Sequence, residues 1–200
     1  MPEILVLYYT SSGSLGRMAQ LIARGIDGVP GISSRIRTVP KVSALTEKTE
    51  PTVPVSGTPY VTNSDIQECS GLAIGSPTRF GNMAAPMKYF IDSLAGEWMR
   101  GSLIGKPAAV FTSAGSLHGG HETTLVSMML PLLHHGMIIV GIPYSVTELS
   151  KTQSGGTPYG ASHHAGENNE LPITPDEKEI CIALGKRLAE TSIKVNSHQN

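Results

Sequence analysis

The stretch "ILVLYYTSSGSLGRMAQLIARGI" constrains the fold more than any other part of this chain. An unbroken apolar run, Ile4–Tyr9, ends abruptly in a hydroxyl- and glycine-rich loop, Thr10–Gly16. The apolar period then changes to that of a helix, with Met18, Leu21, Ile22 and Ile26 on one face of Leu15–Asp27. A strand with no polar alternation needs cover on both faces, as strands of a parallel sheet have. The pattern recurs. "GLAIGS" (Gly71–Ser76), "PAAVFTS" (Pro107–Ser113) and "MIIVGI" (Met137–Ile142) are short apolar runs closed by Gly, Ser or Pro. Arg35–Val39 alternates charge with apolar residues and predicts a half-exposed edge strand. Helices are predicted over Ala84–Leu94, Thr123–His134 and Asp176–Thr191. The last opens on "TPDEKE", with a Thr cap, a first-turn Pro and acids against the helix dipole.

Five strands alternating with helices predict a doubly wound α/β fold, three layers deep, with helices on both faces of a parallel sheet. The 200 residues read as one domain, 1-200, without repeats. Two segments, 40-63 and 143-171, exceed ordinary loop lengths and are expected to be functional loops or subunit contacts.

Charge excludes some functions. With 16 acidic and 15 basic residues, the chain has neither a nucleic-acid-binding excess nor the acidic face of an electron carrier. Arg24, Arg35, Arg37 and Lys41 form a diffuse basic group that reads as solvated charge. Cys69 and Cys181 are far apart in sequence and read as free thiols of a reducing compartment. The first residues read as a strand rather than a signal peptide, and no apolar run approaches bilayer-spanning length. The expectation is a soluble cytoplasmic protein, with no nucleic-acid partner and no stable membrane insertion.

Ligands of open α/β sheets bind beyond the carboxyl ends of the strands. Three loops leave such ends. The first, Thr10, Ser11, Ser12, Gly13, Ser14 and Leu15, suits a phosphate, because free N–H groups and the helix dipole attract an anion. It matches neither the dinucleotide nor the nucleoside-triphosphate fingerprint, and it carries no lysine, which points to a monoester held by neutral donors. The same residue types also serve helix capping, so this loop alone leaves both readings open. The second loop offers Pro77, Thr78, Arg79, Phe80, Gly81 and Asn82. The third offers Ser113, Ala114, Gly115, Ser116, Leu117 and His118. Together they suit a flat polar ring.

These blocks make the chain resemble the WrbA family of flavodoxin-like NAD(P)H:quinone oxidoreductases, over almost its whole length. The carrying residues are "GSPTRFGNM" (Gly75–Met83), Trp98, "GGHET" (Gly119–Thr123), the His134–His135 pair and "GGTPYGA" (Gly155–Ala161). The resemblance implies a five-stranded sheet in the order 2-1-3-4-5, an FMN cofactor on the three loops, and NADH or NADPH as hydride donor. It implies quinone reduction in two-electron, ping-pong steps through flavin N5, and a homotetramer with each flavin near a subunit junction. It also implies that His134 lies at the flavin, that Trp98 walls the substrate side and that Tyr159 works across an interface. No protein nucleophile is needed. Position 12 is Ser where many members have an aromatic, and the third loop is one residue longer, with Leu117 and His118 inserted.

Other readings belong beside these. His134–His135 suits a helix C-terminus, and Trp98 suits ordinary packing. His118 and His121 make a poor metal site, and His163–His164 read as surface loop. Competing functions are a single-electron FMN carrier and an FMN-binding regulatory partner protein.

Overall fold

The computed structural model describes residues 1-11, 13-42 and 57-197; Ser12 and most of the first long loop lie outside them. Strands β1 (Glu3–Tyr8), β3 (Gly71–Arg79) and β5 (Pro107–Ala114) form the parallel centre of a seven-stranded sheet, with half-exposed β2 (Ser33–Thr38) at one edge. With β6 (Ile138–Ile139) its order is β2-β1-β3-β5-β6, with β4 (Asn82–Met83) paired to β3 and β7 (Ala161–His164) paired to β5.

The count differs from the expected five for two local reasons. β3 runs on to Arg79, turns through Phe80 and Gly81, and returns as antiparallel β4. The strand expected over Met137–Ile142 shrinks to β6 (Ile138–Ile139), which pairs only with Pro107 and Ala108. The chain then leaves the sheet and re-enters as β7, which pairs with Phe111–Ala114 and so completes the same side of β5. Tight packing fixes this excursion. A Cβ on Gly160 would sit 2.1 Å from the Val110 carbonyl oxygen, and one on Gly155 2.1 Å from that of Ser162.

The central strands are buried on both sides, as their unbroken apolar runs demand. Ile4, Val6 and Tyr8 face one core with Met18, Ile22, Ile180 and Leu184, from α1 (Ser14–Asp27) and α7 (Pro175–Asn196). Leu5 and Leu7 face the other with Met87, Leu125 and Met128, from α3 (Ala85–Asp92) and α5 (His121–His134). α1 and α7 cross so closely that a Cβ on Gly185 would meet the Ile22 carbonyl oxygen at 2.0 Å.

Three short helices escape the periodicity reading: α2 (Asn63–Glu68), α4 (Ala95–Arg100) and α6 (Glu148–Lys151). Their few residues give the apolar period no room to show. α2 also corrects, for Arg35 and Arg37, the reading of the basic group as solvated charge; Arg24 and Lys41 are exposed. Arg35 pairs with Glu3, Asp65 and Glu68, and Arg37 pairs with Asp65 at 3.2 Å. Asp65 is buried. Burial alone would raise its pKa, but hydrogen bonds from Thr62 and Arg35 lower it below the usual range.

His163 is a second correction. It lies on β7, fully buried, rather than on a surface loop. Its Nδ1–H donates to Glu177 Oε2 at 2.9 Å. The other oxygen of Glu177 accepts from Ser154 Oγ, Gly155 N and His164 N at 2.8, 2.8 and 3.0 Å. One buried carboxylate thus ties the excursion and β7 to the start of α7. Burial opposes its charge, but these donors overcome that and hold its pKa near 2.

Candidate flavin site

Loops from the carboxyl ends of β1, β3, β5 and β7 enclose a cleft of about 790 Å³. That is within the usual size range for a cofactor site, at the position the fold predicts. The first wall is Thr10, Ser11 and Leu15. Thr10 Oγ1 accepts from Gly13 N–H at 2.9 Å, which closes the turn. Gly13 has φ 94°, and no side chain caps α1 beyond it. The N–H groups of the first helical residues lack an intrahelical partner, and among the described residues no side chain caps them, so they can meet an anion. The first turn holds no acid; it holds Arg17, a cation at the end of the dipole that disfavours one by about 0.3–1 kcal/mol.

The second wall is Pro77, Thr78, Arg79 and Phe80. It is a hairpin whose two turn residues, Phe80 and Gly81, both have positive φ, 54° and 76°. That combination makes a tight turn compatible with strand twist, and it is uncommon for an aromatic residue. Phe80 stands fully exposed at the rim. Thr78 is anchored below by a chain of hydroxyls: Thr124 Oγ1–H donates to Thr78 Oγ1 at 3.1 Å, Thr112 Oγ1 lies 3.4 Å from it, and Thr112 Oγ1–H donates to the Ser76 carbonyl at 2.8 Å.

The third wall is Ser113–Ser116 with Gly119. Buried His121, the first residue of α5, donates from Nε2 to the Ser116 carbonyl at 3.1 Å and pins this loop. Burial lowers the His121 pKa, which keeps the ring neutral. Among the described residues no group of three or more His, Cys, Asp or Glu side chains is placed to hold a metal ion.

A fourth wall, Gly166, Glu167 and Asn169, lies in the turn that follows β7, outside the three loops that the sequence pattern marks. Ala165 N–H donates to the Ala114 carbonyl at 2.8 Å, which sets this turn beside the third loop. A Cβ on Gly115 would lie 3.2 Å from the Gly166 carbonyl oxygen, so the two turns pack backbone on backbone. The only signal in the sequence was the length of the segment that carries them.

The remaining expected residues are placed elsewhere. Gly13, Ser14 and Gly81 support the loops without lining the cleft. Asn82 Oδ1 accepts from Ser127 Oγ at 3.1 Å and joins the hairpin to α5. Leu117 and His118 are exposed and do not line the cleft. Ser12 is outside the described residues. His134 ends α5, some 20 Å along the helix from its start at the cleft. Trp98 is there too, with Nε1–H donating to the His134 carbonyl at 2.9 Å. Neither lines the cleft of its own chain. Tyr159 lines a separate apolar groove of about 390 Å³, with Thr123, Val126 and Leu130 of α5.

The residues present fit FMN. Free helical N–H groups and hydroxyls stand where a phosphate needs donors, and glycines and small residues leave room for a flat ring. Comparison with known proteins agrees. A family model described as NADPH-dependent FMN reductase matches residues 9–150. An NAD(P)H dehydrogenase (quinone) of Solidesulfovibrio magneticus is 37% identical over 204 residues, spanning 98% of this chain and 100% of that protein. One of Geobacter sulfurreducens is 38% identical over 203 residues, spanning 97% and 99%. Among solved structures, a WrbA-like flavodoxin from Agrobacterium tumefaciens superposes with a TM-score of 0.66 at 17% identity, covering 97% of this chain and 99% of that one. An oxidised flavodoxin from Bacillus cereus gives 0.60 at 16% identity, covering 94% and 97%. The fold is therefore flavodoxin-like, and the chain belongs to the NADPH-dependent FMN reductase family.

Proposed function

We propose that this chain is an FMN-dependent NAD(P)H:quinone oxidoreductase whose nicotinamide and quinone occupy one cleft in turn. The observation that carries the reading is the four-walled cleft of hydroxyls, glycines and an unsatisfied helix start. It stands in a chain more than a third identical, end to end, to two quinone dehydrogenases. The chemistry FMN supplies when bound is a two-electron relay from hydride donor to quinone.

The chain's own residues bind and orient. Thr10, Ser11 and the N–H groups at the start of α1 hold the phosphate. The Thr78–Thr112–Thr124 hydroxyl chain fixes the hairpin beside the ring. Phe80, strained and exposed, offers an apolar face to what stacks there. A single-electron carrier is the weaker reading, because 16 acids against 15 bases supply no acidic docking face.

His134, Trp98 and Tyr159 serve the reaction only in an assembly. Val126, Leu130 and Leu133 form an exposed apolar stripe on α5, 42%, 58% and 55% exposed, running from the Tyr159 groove toward Trp98 and His134. A second copy on this stripe brings its neighbour's Trp98 and His134 toward a cleft. Leu130→Glu is expected to shift the protein to monomers in light scattering and to lower quinone reduction while FMN stays bound. A wild-type protein that is monomeric at micromolar concentration contradicts the assembly.

The test of the function is an anaerobic titration of FMN-loaded protein with NADH or NADPH, followed by benzoquinone. Bleaching of the flavin absorbance in one two-electron step, full recovery on quinone addition, and parallel double-reciprocal rate lines are expected. No bleaching with either nicotinamide overturns the reading. Intersecting lines overturn the shared cleft.

A further inference from the structure

Arg17 is unexplained by the fold. It lies in the first turn of α1, where the helix dipole repels a cation, and that turn contains no acid. It forms no ion pair with any described residue. Yet its guanidinium folds back over the helix start. Nη2 donates to Ser14 Oγ at 3.4 Å, and Nη1 comes within 3.8 Å of where a Cβ on Gly13 would be. Across the phosphate loop, Arg79 donates from Nη2 to Ser11 Oγ at 3.3 Å, also without an ion pair among the described residues. Arg35, Arg37 and Arg100 meet carboxylates, whereas Arg187, well inside α7, is like Arg17 without an ion pair among the described residues. Arg24, on the same helix as Arg17, stands in the last turn, where the dipole favours it.

We infer that Arg17 is a ligand-binding residue that closes on the FMN phosphate from the α1 side, so that the phosphate loop works through two guanidiniums as well as neutral donors. The inference rests on the FMN reading of the cleft. It revises the expectation of a monoester held by neutral groups alone. A phosphate monoester carries close to two negative charges at neutral pH, which Arg17 and Arg79 together match. An arginine there also explains how the loop binds a doubly charged group without the lysine that other phosphate loops use. The site selects the phosphorylated flavin by charge and accepts the ring through the other three walls.

The test uses flavin-free full-length protein and the quenching of flavin fluorescence on binding. FMN and riboflavin are titrated into wild type, Arg17→Gln, Arg17→Lys and, as a control on the same helix, Arg24→Gln. Arg17→Gln is expected to weaken FMN by about 10- to 100-fold, the worth of a charge-assisted hydrogen bond, and riboflavin by less than about twofold. Arg17→Lys recovers part of the loss, and Arg24→Gln changes neither ligand. The flavin-free Arg17→Gln protein is expected to melt at or slightly above the wild-type temperature, because a cation has left the wrong end of a dipole. Equal FMN affinity in wild type and Arg17→Gln overturns the inference and leaves the FMN reading standing. Equal losses for FMN and riboflavin overturn it in favour of a purely structural role. A wild-type protein that binds neither flavin overturns both readings.

Discussion

α1 and α7 pack on the same face of the sheet and begin in opposite ways. The start of α7 is satisfied by the chain itself. Thr174 Oγ1 accepts from Glu177 N–H at 3.2 Å, Glu177 Oε2 accepts from Thr174 N–H at 2.8 Å, Pro175 needs no partner, and Asp176 adds a favourable charge. α2 begins with the same reciprocal arrangement, through Thr62 and Asp65. α1 begins at left-handed Gly13 without a side-chain cap, and α5 at left-handed Gly120, also without one. α3, α4 and α6 also begin without a side-chain cap, so a missing cap does not by itself mark the cleft. What sets α1 apart is position: its uncapped start follows a strand that ends at the cleft, where a ligand can complete it.

The largest expected effect tests the completed end. Glu177→Gln removes a buried charge on which several donors converge. It is expected to cost about 3 kcal/mol in urea unfolding, with or without FMN. The pH dependence sharpens this. Because the folded pKa of Glu177 is held near 2 against an ordinary 4.5, its contribution is present above about pH 4.5 and lost as pH falls toward 2. Wild-type stability is expected to drop by about 3 kcal/mol through that window, with the drop largely absent in Glu177→Gln. A parallel decline in the two proteins contradicts the assignment.

Gly13→Ala comes next. A Cβ there meets nothing closer than 3.8 Å, so the cost is the left-handed backbone alone, about 1–2 kcal/mol in thermal unfolding. It is accompanied by weaker FMN binding. Thr174→Ala is expected to cost about 1 kcal/mol and to leave FMN affinity unchanged. Thr10→Ala reverses that pattern, with under about 0.5 kcal/mol lost from the flavin-free protein but a measurable fall in FMN affinity by fluorescence quenching. Equal loss of FMN affinity in Thr174→Ala and Thr10→Ala breaks the comparison.

The same contrast explains what was legible in the sequence. β1, β3 and β5 read as strands because burial on both faces leaves them unbroken apolar runs, and α1, α5 and α7 show helical period or caps. Three cleft walls were legible because small hydroxyl residues and glycine cluster after those strands. β7 was not. "ASHH" is polar in sequence, and it is buried only because Glu177, thirteen and fourteen residues on, supplies its partners. The Gly166–Asn169 wall depends on where that strand ends, so it was hidden with it. Arg17 was hidden for another reason. A solvent-facing arginine on an amphipathic helix is ordinary, and only its fold back over Gly13 at the start of the helix makes it unusual. Trp98 and His134 were placed at the flavin by resemblance, and one chain holds them together at the far end of α5.

The most direct test is amide NMR of labelled, flavin-free protein titrated with FMN and, separately, with riboflavin. Downfield shifts of the Ser14, Leu15 and Gly16 N–H groups are expected with FMN and much smaller ones with riboflavin, while Glu177 N–H, already bonded to Thr174, stays still with both. FMN binding that leaves the Ser14–Gly16 amides unmoved contradicts this, because the helix start left open by the fold would then not be where the phosphate sits.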